Sequence, residues 1–278
     1  MSPFDAKEAV APAARDEAPG RAKSKPLLAL LRLVRITVWT AACYTGYMLR
    51  RFVLADAVAK RQASVRWSQR WFRGLLQIAG IRTHALGQAP KPPVLITPNH
   101  LGYLDILAVG ALSDTMFVSK AEVASWPIMG LLFRHAEVIG VARGRLRGVH
   151  EANKQVTERL GQGLSICVFL EGTSSGGRAV KPFHSSLVQP AIDAGVPIVP
   201  AAVRWSSTNP AIDVSEDVAY WGNHTLVPHL WRVLGLRGLS VQVAFGEPIP
   251  SNDRDRKSLA QASHDRVARL FEDRRGDS

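Results

Sequence analysis

The sequence predicts an α/β fold: a mixed central sheet flanked by helices, preceded by an N-terminal membrane-associated helical segment. Three observations carry this. Helical and strand patterns alternate from about Val58 onward, which suits one α/β domain. "LSICVFLE" and "VPIVPAAV" are apolar without alternation, as strands covered on both faces are. Pro26 to Phe52 is apolar for about two dozen residues yet carries arginines.

The 278 residues are 46% hydrophobic, enough to bury one large core. Three regions are expected: a disordered tail over 1–25, a membrane-associated helical region over 26–80, and the α/β domain over 81–278. The formal charge of +12 calls for an anionic partner: nucleic acid, acidic lipid, an anionic substrate or an acidic carrier protein. Nucleic acid is disfavoured, because no helix-turn-helix, zinc or RNA-binding pattern appears and no aromatics interleave the cations. Cys43 and Cys167 both lie in apolar stretches, which excludes a disulfide framework and suits a cytoplasmic face. No metal site is expected; His224 and His229 lack cysteine or acidic ligands nearby.

The elements follow in order. In "PLLALLRLVRITVWTAACYTGYMLRRF", Arg32 and Arg35 break the first third and Arg50–Arg51 close the run. The cleanest part, Ile36 to Leu49, is 14 residues, short of the roughly 20 that span a bilayer. No small-residue cleavage site marks a signal peptide. A buried helix competes with a membrane-dipping or single-pass anchor, and the flanking cations favour the anchor.

"VRWSQRWFRGLLQIAG" reads as a helix ending at Gly80, with Trp67, Trp71, Leu75 and Ile78 on one stripe. "IRTHALG" and "PVLIT" read as strands, "DILAVGAL" as helix, "TMFVSK" as strand, and "WPIMGLLFRHA" as a helix opened by Pro127. "EVIGVA" is a strand, and "VHEANKQVTERLGQG" a helix carrying Val149, Ala152, Val156 and Leu160 on one face. After the two buried strands comes a further strand, "LSVQVAFGEPI". A final helix over 257–274 places Leu259, Val267, Leu270 and Phe271 on one arc.

The chemistry concentrates in "NHLGYLD". His100 follows a strand and Asp105 sits in the first turns of a helix. A carboxylate so placed can hold one imidazole nitrogen and leave the other to take a proton from a hydroxyl. Alone, His-x4-Asp is a weak signal. Downstream lie "GVARGR" (140–145), "FLEGTSSGG" (169–177) and "VPIVPAAV" (196–203). Together, over 92–203, this spaced set resembles the glycerolipid acyltransferases of the lysophosphatidic-acid acyltransferase type.

That resemblance implies transfer of a fatty acyl group from an acyl-carrier-protein or coenzyme A thioester to a lysolipid hydroxyl. Such an enzyme needs no metal or organic cofactor and works at the cytoplasmic face of the inner membrane. It implies His100 as general base and Asp105 as its orienter. Arg143 matches the acceptor-binding arginine, and Glu171, Gly172 and Thr173 match the Glu-Gly-Thr that holds the acceptor. Val196 to Pro200 match the motif on the acyl side. The family usually has Arg after Glu-Gly-Thr; here stands Ser174. Either Arg178 or Lys181 replaces its charge, or the acceptor lacks a phosphate monoester. "EGTSSGG" with "YWGNHTLVPHLWRVLG" also looks like the branch acylating lyso-ornithine lipid. Lysophosphatidate is the first expectation and lyso-ornithine lipid the alternative.

A different reading starts from Gly172 to Gly176, which spells the G-x-S-x-G of α/β hydrolases around Ser174. That elbow needs a helix after the turn, and "GGRAVKPFHSS" has no helical period. Asp193 or Asp213, with His224 or His229, would have to complete the triad. The remaining histidines (His84, His135, His150, His184 and His264) are expected to be surface or local hydrogen-bonding groups.

Overall fold

The computed structural model describes residues 22–122, 136–142, 146–252 and 254–273. Residues 1–21 of the tail expected over 1–25, the helix expected in "WPIMGLLFRHA" and Arg143 lie outside the described residues.

Two long helices open the chain. Helix α1 runs Pro26–Val53, started by a proline that needs no intrahelical N–H partner and ended with Arg50 and Arg51 at its negative pole. Helix α2 runs Ala57–Ile78, eight residues longer at its start than the periodicity from Val65 indicated; Asp56 caps it by accepting from the Ala59 N–H at 2.6 Å. Three tryptophans knit the pair. Trp67 Nε1 donates to the Cys43 carbonyl (2.6 Å), Trp71 Nε1 to Thr40 Oγ1 (2.9 Å) and Trp39 Nε1 to the Trp71 carbonyl (3.2 Å). Gly74 is required beneath Trp39, since a Cβ there would stand 2.1 Å from Nε1.

Arg32, which interrupts the apolar run, is buried. Its Nη1 donates to the Leu234 and Leu236 carbonyls at 2.9 and 2.6 Å. Those carbonyls close helix α7 (Leu226–Gly235), so the charge pins α1 to the domain.

The sheet holds seven strands: β1 Arg82–Leu86, β2 Leu95–Pro98, β3 Thr115–Lys120, β4 Ile139–Val141, β5 Ser165–Cys167, β6 Ile198–Ser207 and β7 Leu239–Phe245. Their order is β1-β7-β6-β2-β5-β3-β4, parallel throughout except for β6 against β7. The mixed sheet is as expected. "LSICVFLE" is corrected: the strand ends at Cys167, and Leu170 and Glu171 already form a turn.

Between the strands lie α3 (Tyr103–Leu112), α4 (Leu146–Gly161), short α5 (Gln189–Asp193), α6 (Val214–Asp217), and finally α8 (Arg256–Glu272). Alternation along the strands divides the core. Ile96 and Cys167 face the side of α2, α3 and α7, whereas Leu95 and Ile166 face α4 and α8, where Ala152, Val156, Leu160 and Leu259 are buried. The small Ser263 of α8 fits there because its hydroxyl bonds Thr97 Oγ1 at 2.6 Å. Glu137, ahead of β4, gathers Arg51, Arg61 and Arg159 within 3.5 Å and so joins α1, α2 and α4.

Candidate active site

Register builds the site. Strands β2 and β5 are parallel neighbours with Ile96 opposite Cys167. Four residues further along each chain stand His100 and Glu171, at the carboxyl ends of central strands, where open α/β sheets carry their sites. The two meet: the His100 backbone N–H donates to Glu171 Oε1 at 3.1 Å. Asn99 holds the turn below them, its side-chain amide donating to the Val203 carbonyl (3.0 Å) and accepting from the Val203 N–H (2.7 Å). Asn99 thus extends the β2–β6 ladder through its side chain.

Asp105 is fully buried and every approach to it is a donor. Its Oδ2 accepts from the Leu101 N–H (2.6 Å) and the Gly102 N–H (2.9 Å), and lies 3.0 Å from His100 Nδ1. Its Oδ1 accepts from Trp205 Nε1 at 2.8 Å. Four donors hold this buried carboxyl group fixed. It therefore holds the proton of His100 on Nδ1 and leaves Nε2 with its lone pair. The ring of Phe169 stacks on the imidazole, centroids 4.0 Å apart and planes 25° from parallel, so the other degree of freedom is also held. The His100 side chain keeps 18% of its surface exposed, enough for a reactant to reach it.

Glu171 is a different carboxyl. It is 3% exposed, and Oε2 has no partner among the described residues. Burial pushes its pKa up to about 8, against the His100 N–H and the Lys181 ammonium, which pull it down. At neutral pH it is an acid holding its proton. Gly172 follows with φ of +71°, a conformation that favours glycine, and its Cα faces the His184 ring: a Cβ would lie 3.0 Å from His184 Cδ2. His184 is exposed, as expected of a surface group, and its ring backs this turn. Thr173 is exposed at the tip. Ser174 Oγ donates to the Tyr220 carbonyl at 2.5 Å, and Lys181 Nζ donates to the Ser174 carbonyl at 3.2 Å. Ser175 closes the loop, its N–H on the His100 carbonyl at 2.9 Å.

The chain around Tyr220 straps both motifs together. Its N–H donates to the Leu101 carbonyl at 2.8 Å, and Gly102 is glycine because a Cβ would meet Tyr220 Cβ at 2.8 Å. Beside it Tyr103 Oη lies 3.1 Å from Nδ1 of buried His229, whose ring stacks with His224. Burial, then the neighbouring His224, lower the His229 pKa to about 4, so it is neutral. Burial raises the Tyr103 phenol. Among the described residues no group of three or more His, Cys, Asp or Glu could hold a metal.

The hydrolase alternative does not fit this geometry. The hydroxyl of Ser174 is spent on a backbone carbonyl, and the residues after it form bends rather than a helix.

A family model described as "Acyltransferase" matches residues 80–204, the stretch that holds both motifs. A lyso-ornithine lipid O-acyltransferase of Pseudomonas aeruginosa is 33% identical over 239 residues, covering 86% of this chain and 89% of its own. The chain belongs to the acyltransferase family.

This acyltransferase is also 30% identical to a 1-acyl-sn-glycerol-3-phosphate acyltransferase of Neisseria meningitidis, over 78% of this chain and 82% of that one. In fold it resembles the crystal structure of the 1-acyl-sn-glycerophosphate acyltransferase PlsC from Thermotoga maritima. That match has a TM-score of 0.69 and 18% identity, over 89% of this chain and 94% of the other. Of the residues the motifs pointed to, the acyltransferase brings together His100, Asp105, Glu171, Gly172 and Ser174. Trp205, Asn99 and Phe169 escaped sequence reasoning. Trp205 had one visible signal: a tryptophan following an unbroken apolar run needs a partner for its N–H once buried.

Proposed function

We propose that this acyltransferase moves a fatty acyl group from a thioester to the free hydroxyl of a lysolipid, with His100 as base and Asp105 as orienter. The observation that carries this is the closed donor shell of Asp105, which commits His100 to one tautomer. His100 Nε2 takes the hydroxyl proton as the oxygen attacks the thioester carbonyl carbon. The tetrahedral intermediate then expels the thiolate, which recovers that proton from the imidazolium and leaves as thiol. Asp105 absorbs the Leu101 and Gly102 N–H groups, so the turn of Glu171 to Ser174, with the neutral Glu171 acid, is the better source of donors for the oxyanion. No metal or organic cofactor enters this reading. The donor is an acyl-carrier-protein or coenzyme A thioester, and the basic chain suits either anion.

The acceptor in this reading is lyso-ornithine lipid. Ser174 stands where a guanidinium would grip a phosphate monoester bidentately, and its hydroxyl is already engaged. Lysophosphatidate is the second reading, favoured by Lys181, whose ammonium lies at the same turn. Arg143, matched to the family's acceptor arginine, would serve the carboxylate of the one acceptor or the phosphate of the other. The enzyme works at the cytoplasmic face of the cell membrane, where α1 exposes Leu27, Val38, Leu49 and Phe52 and is long and apolar enough to cross a bilayer.

The test offers purified protein acyl-carrier-protein thioester with both lysolipids in equal amounts and resolves products by mass. Ornithine lipid supports the first reading, phosphatidate the second. Thioester loss without either product would refute acyl transfer to these acceptors. His100→Ala is expected to abolish transfer while lysolipid and thioester binding survive.

A further inference from the structure

Outside the catalytic site, a groove runs along the outside of α1 and α2. One part, about 550 Å³, has a concave floor of small residues (Ala42, Gly46 and Ala63) and a rim of Arg50, Arg66 and Arg70. A second part, about 470 Å³, shares Trp39 and Ala42 with the first and continues past Val34, Arg35 and Val38 to Gln77 and Ile78. One wall carries two stacked aromatic rings, Tyr47 on Trp67 at 4.9 Å. The groove therefore has three cations at one end, a mostly apolar run through its middle, and the single cation Arg35 at the far end. Val34 to Arg50 is 16 residues along α1, about 24 Å, against about 15 Å for one leaflet's hydrocarbon.

Charge decides what fits. Among the described residues no carboxylate lies within ion-pair distance of Arg50, Arg66 or Arg70. Arg66 and Arg70 stand one helical turn apart, a like-charge pair that an anion between them relieves. Elsewhere on the same hairpin, Arg51 and Arg61 already have Glu137. Guanidinium forks suit a phosphate diester, and the aromatic and aliphatic run beyond them suits a chain.

We propose that this groove seats one intact anionic phospholipid as a bound ligand, with its phosphate on Arg50, Arg66 and Arg70 and an acyl chain along Trp39 and Ala42 toward Val38. It is separate from the acyl-transfer reading, shares no residue with the His100 site and does not depend on it.

Gly46 supplies a clean test. A Cβ there meets nothing within 4 Å, so Gly46→Leu fills the groove while every arginine stays in place. The substitution also replaces a mid-helix glycine with a better helix former, so the fold is expected to hold. The measurement is native mass spectrometry of full-length protein from mixed micelles holding phosphatidylglycerol and phosphatidylcholine in equal amounts. The wild type is expected to retain one phosphatidylglycerol, about tenfold in preference to phosphatidylcholine. Gly46→Leu is expected to lose that lipid, yet to keep acyl transfer in detergent micelles within about twofold. Replacing Arg50, Arg66 and Arg70 with Gln together is expected to lower retention on the order of 100-fold, about fivefold per cation.

Undiminished retention by Gly46→Leu would overturn the proposal by placing the lipid elsewhere. Equal retention of phosphatidylcholine would remove the arginines from the recognition. Displacement by inorganic phosphate would leave an anion site without a lipid. Loss of micellar acyl transfer in Gly46→Leu would make the groove part of the substrate path, again against a separate ligand.

Discussion

Replacing Glu171 by glutamine tests the reasoning about the site most directly. The carboxyl is buried, Oε2 has no partner among the described residues, and its pKa is lifted from 4.5 to about 8. Glutamine is nearly isosteric with the protonated acid: it retains an acceptor for the His100 N–H and a donor in place of the acid proton. The native state keeps a proton that the unfolded chain releases above about pH 4.5. Stability therefore falls between about pH 4.5 and 8 and levels off above, a loss on the order of a few kcal/mol at 1.36 kcal/mol per pH unit. Glu171→Gln removes that loss. Denaturant midpoints at about pH 5 and about pH 9 should diverge in the wild type and lie closer in the variant. In kinetics, the wild type should lose kcat/KM as pH rises through about 8, whereas the glutamine variant should lack that alkaline limb and stay within about tenfold of wild type near neutrality. An inactive glutamine variant that retains the stability slope would refute the neutral-acid reading.

Three further changes probe the frame. Trp205→Phe keeps the ring and deletes the donor to Asp105 Oδ1, at about 1.5–3 kcal/mol for a bond to a charged group; denaturation measures this, and kcat should fall with little change in KM. Gly172→Ala forces a side chain into φ of +71° against His184, costing about 1–2 kcal/mol in backbone alone, read as a lower thermal midpoint with acceptor KM raised more than donor KM. Arg32→Met leaves the Leu234 and Leu236 carbonyls without their donor, so unfolding should come about 3 kcal/mol easier and limited proteolysis should release α1 first.

What could be read from the chain, and what could not, follows the range of each interaction. Thr115–Lys120 was legible to the residue, because a buried strand has local punctuation at both ends. The His100–Asp105 pair was legible because one turn of chain brings it together. Trp205 lies 100 residues from Asp105, and only the β2–β6 pairing makes them neighbours. Arg32 was read as a break in an apolar run, whereas its partners are carbonyls 202 and 204 residues away. Glu171 appeared as an acceptor-holding carboxylate; its protonation is set by burial, which no local pattern encodes. The reach of α2 back to Ala57 was hidden because its first turn carries no apolar stripe, only the Asp56 cap.

Helix α7 connects these long-range contacts. At its carboxyl end it receives Arg32 from α1, and Arg232 pairs with fully buried Asp217 at 2.6 Å. At His229 it meets Tyr103, the residue that opens α3 two positions before Asp105. The same ten-residue helix thus touches the apolar N-terminal helix and the turn that carries the candidate base. A helix joined only by a flexible linker would let the domain wander from any surface it binds. Here two charge-assisted bonds and the tryptophan-knit packing of α2 fix α1 against the sheet. Any bilayer that holds α1 therefore sets the height and tilt of His100 above it. The hydroxyl of a lipid acceptor can then be met at a fixed depth, without extracting the lipid from the bilayer.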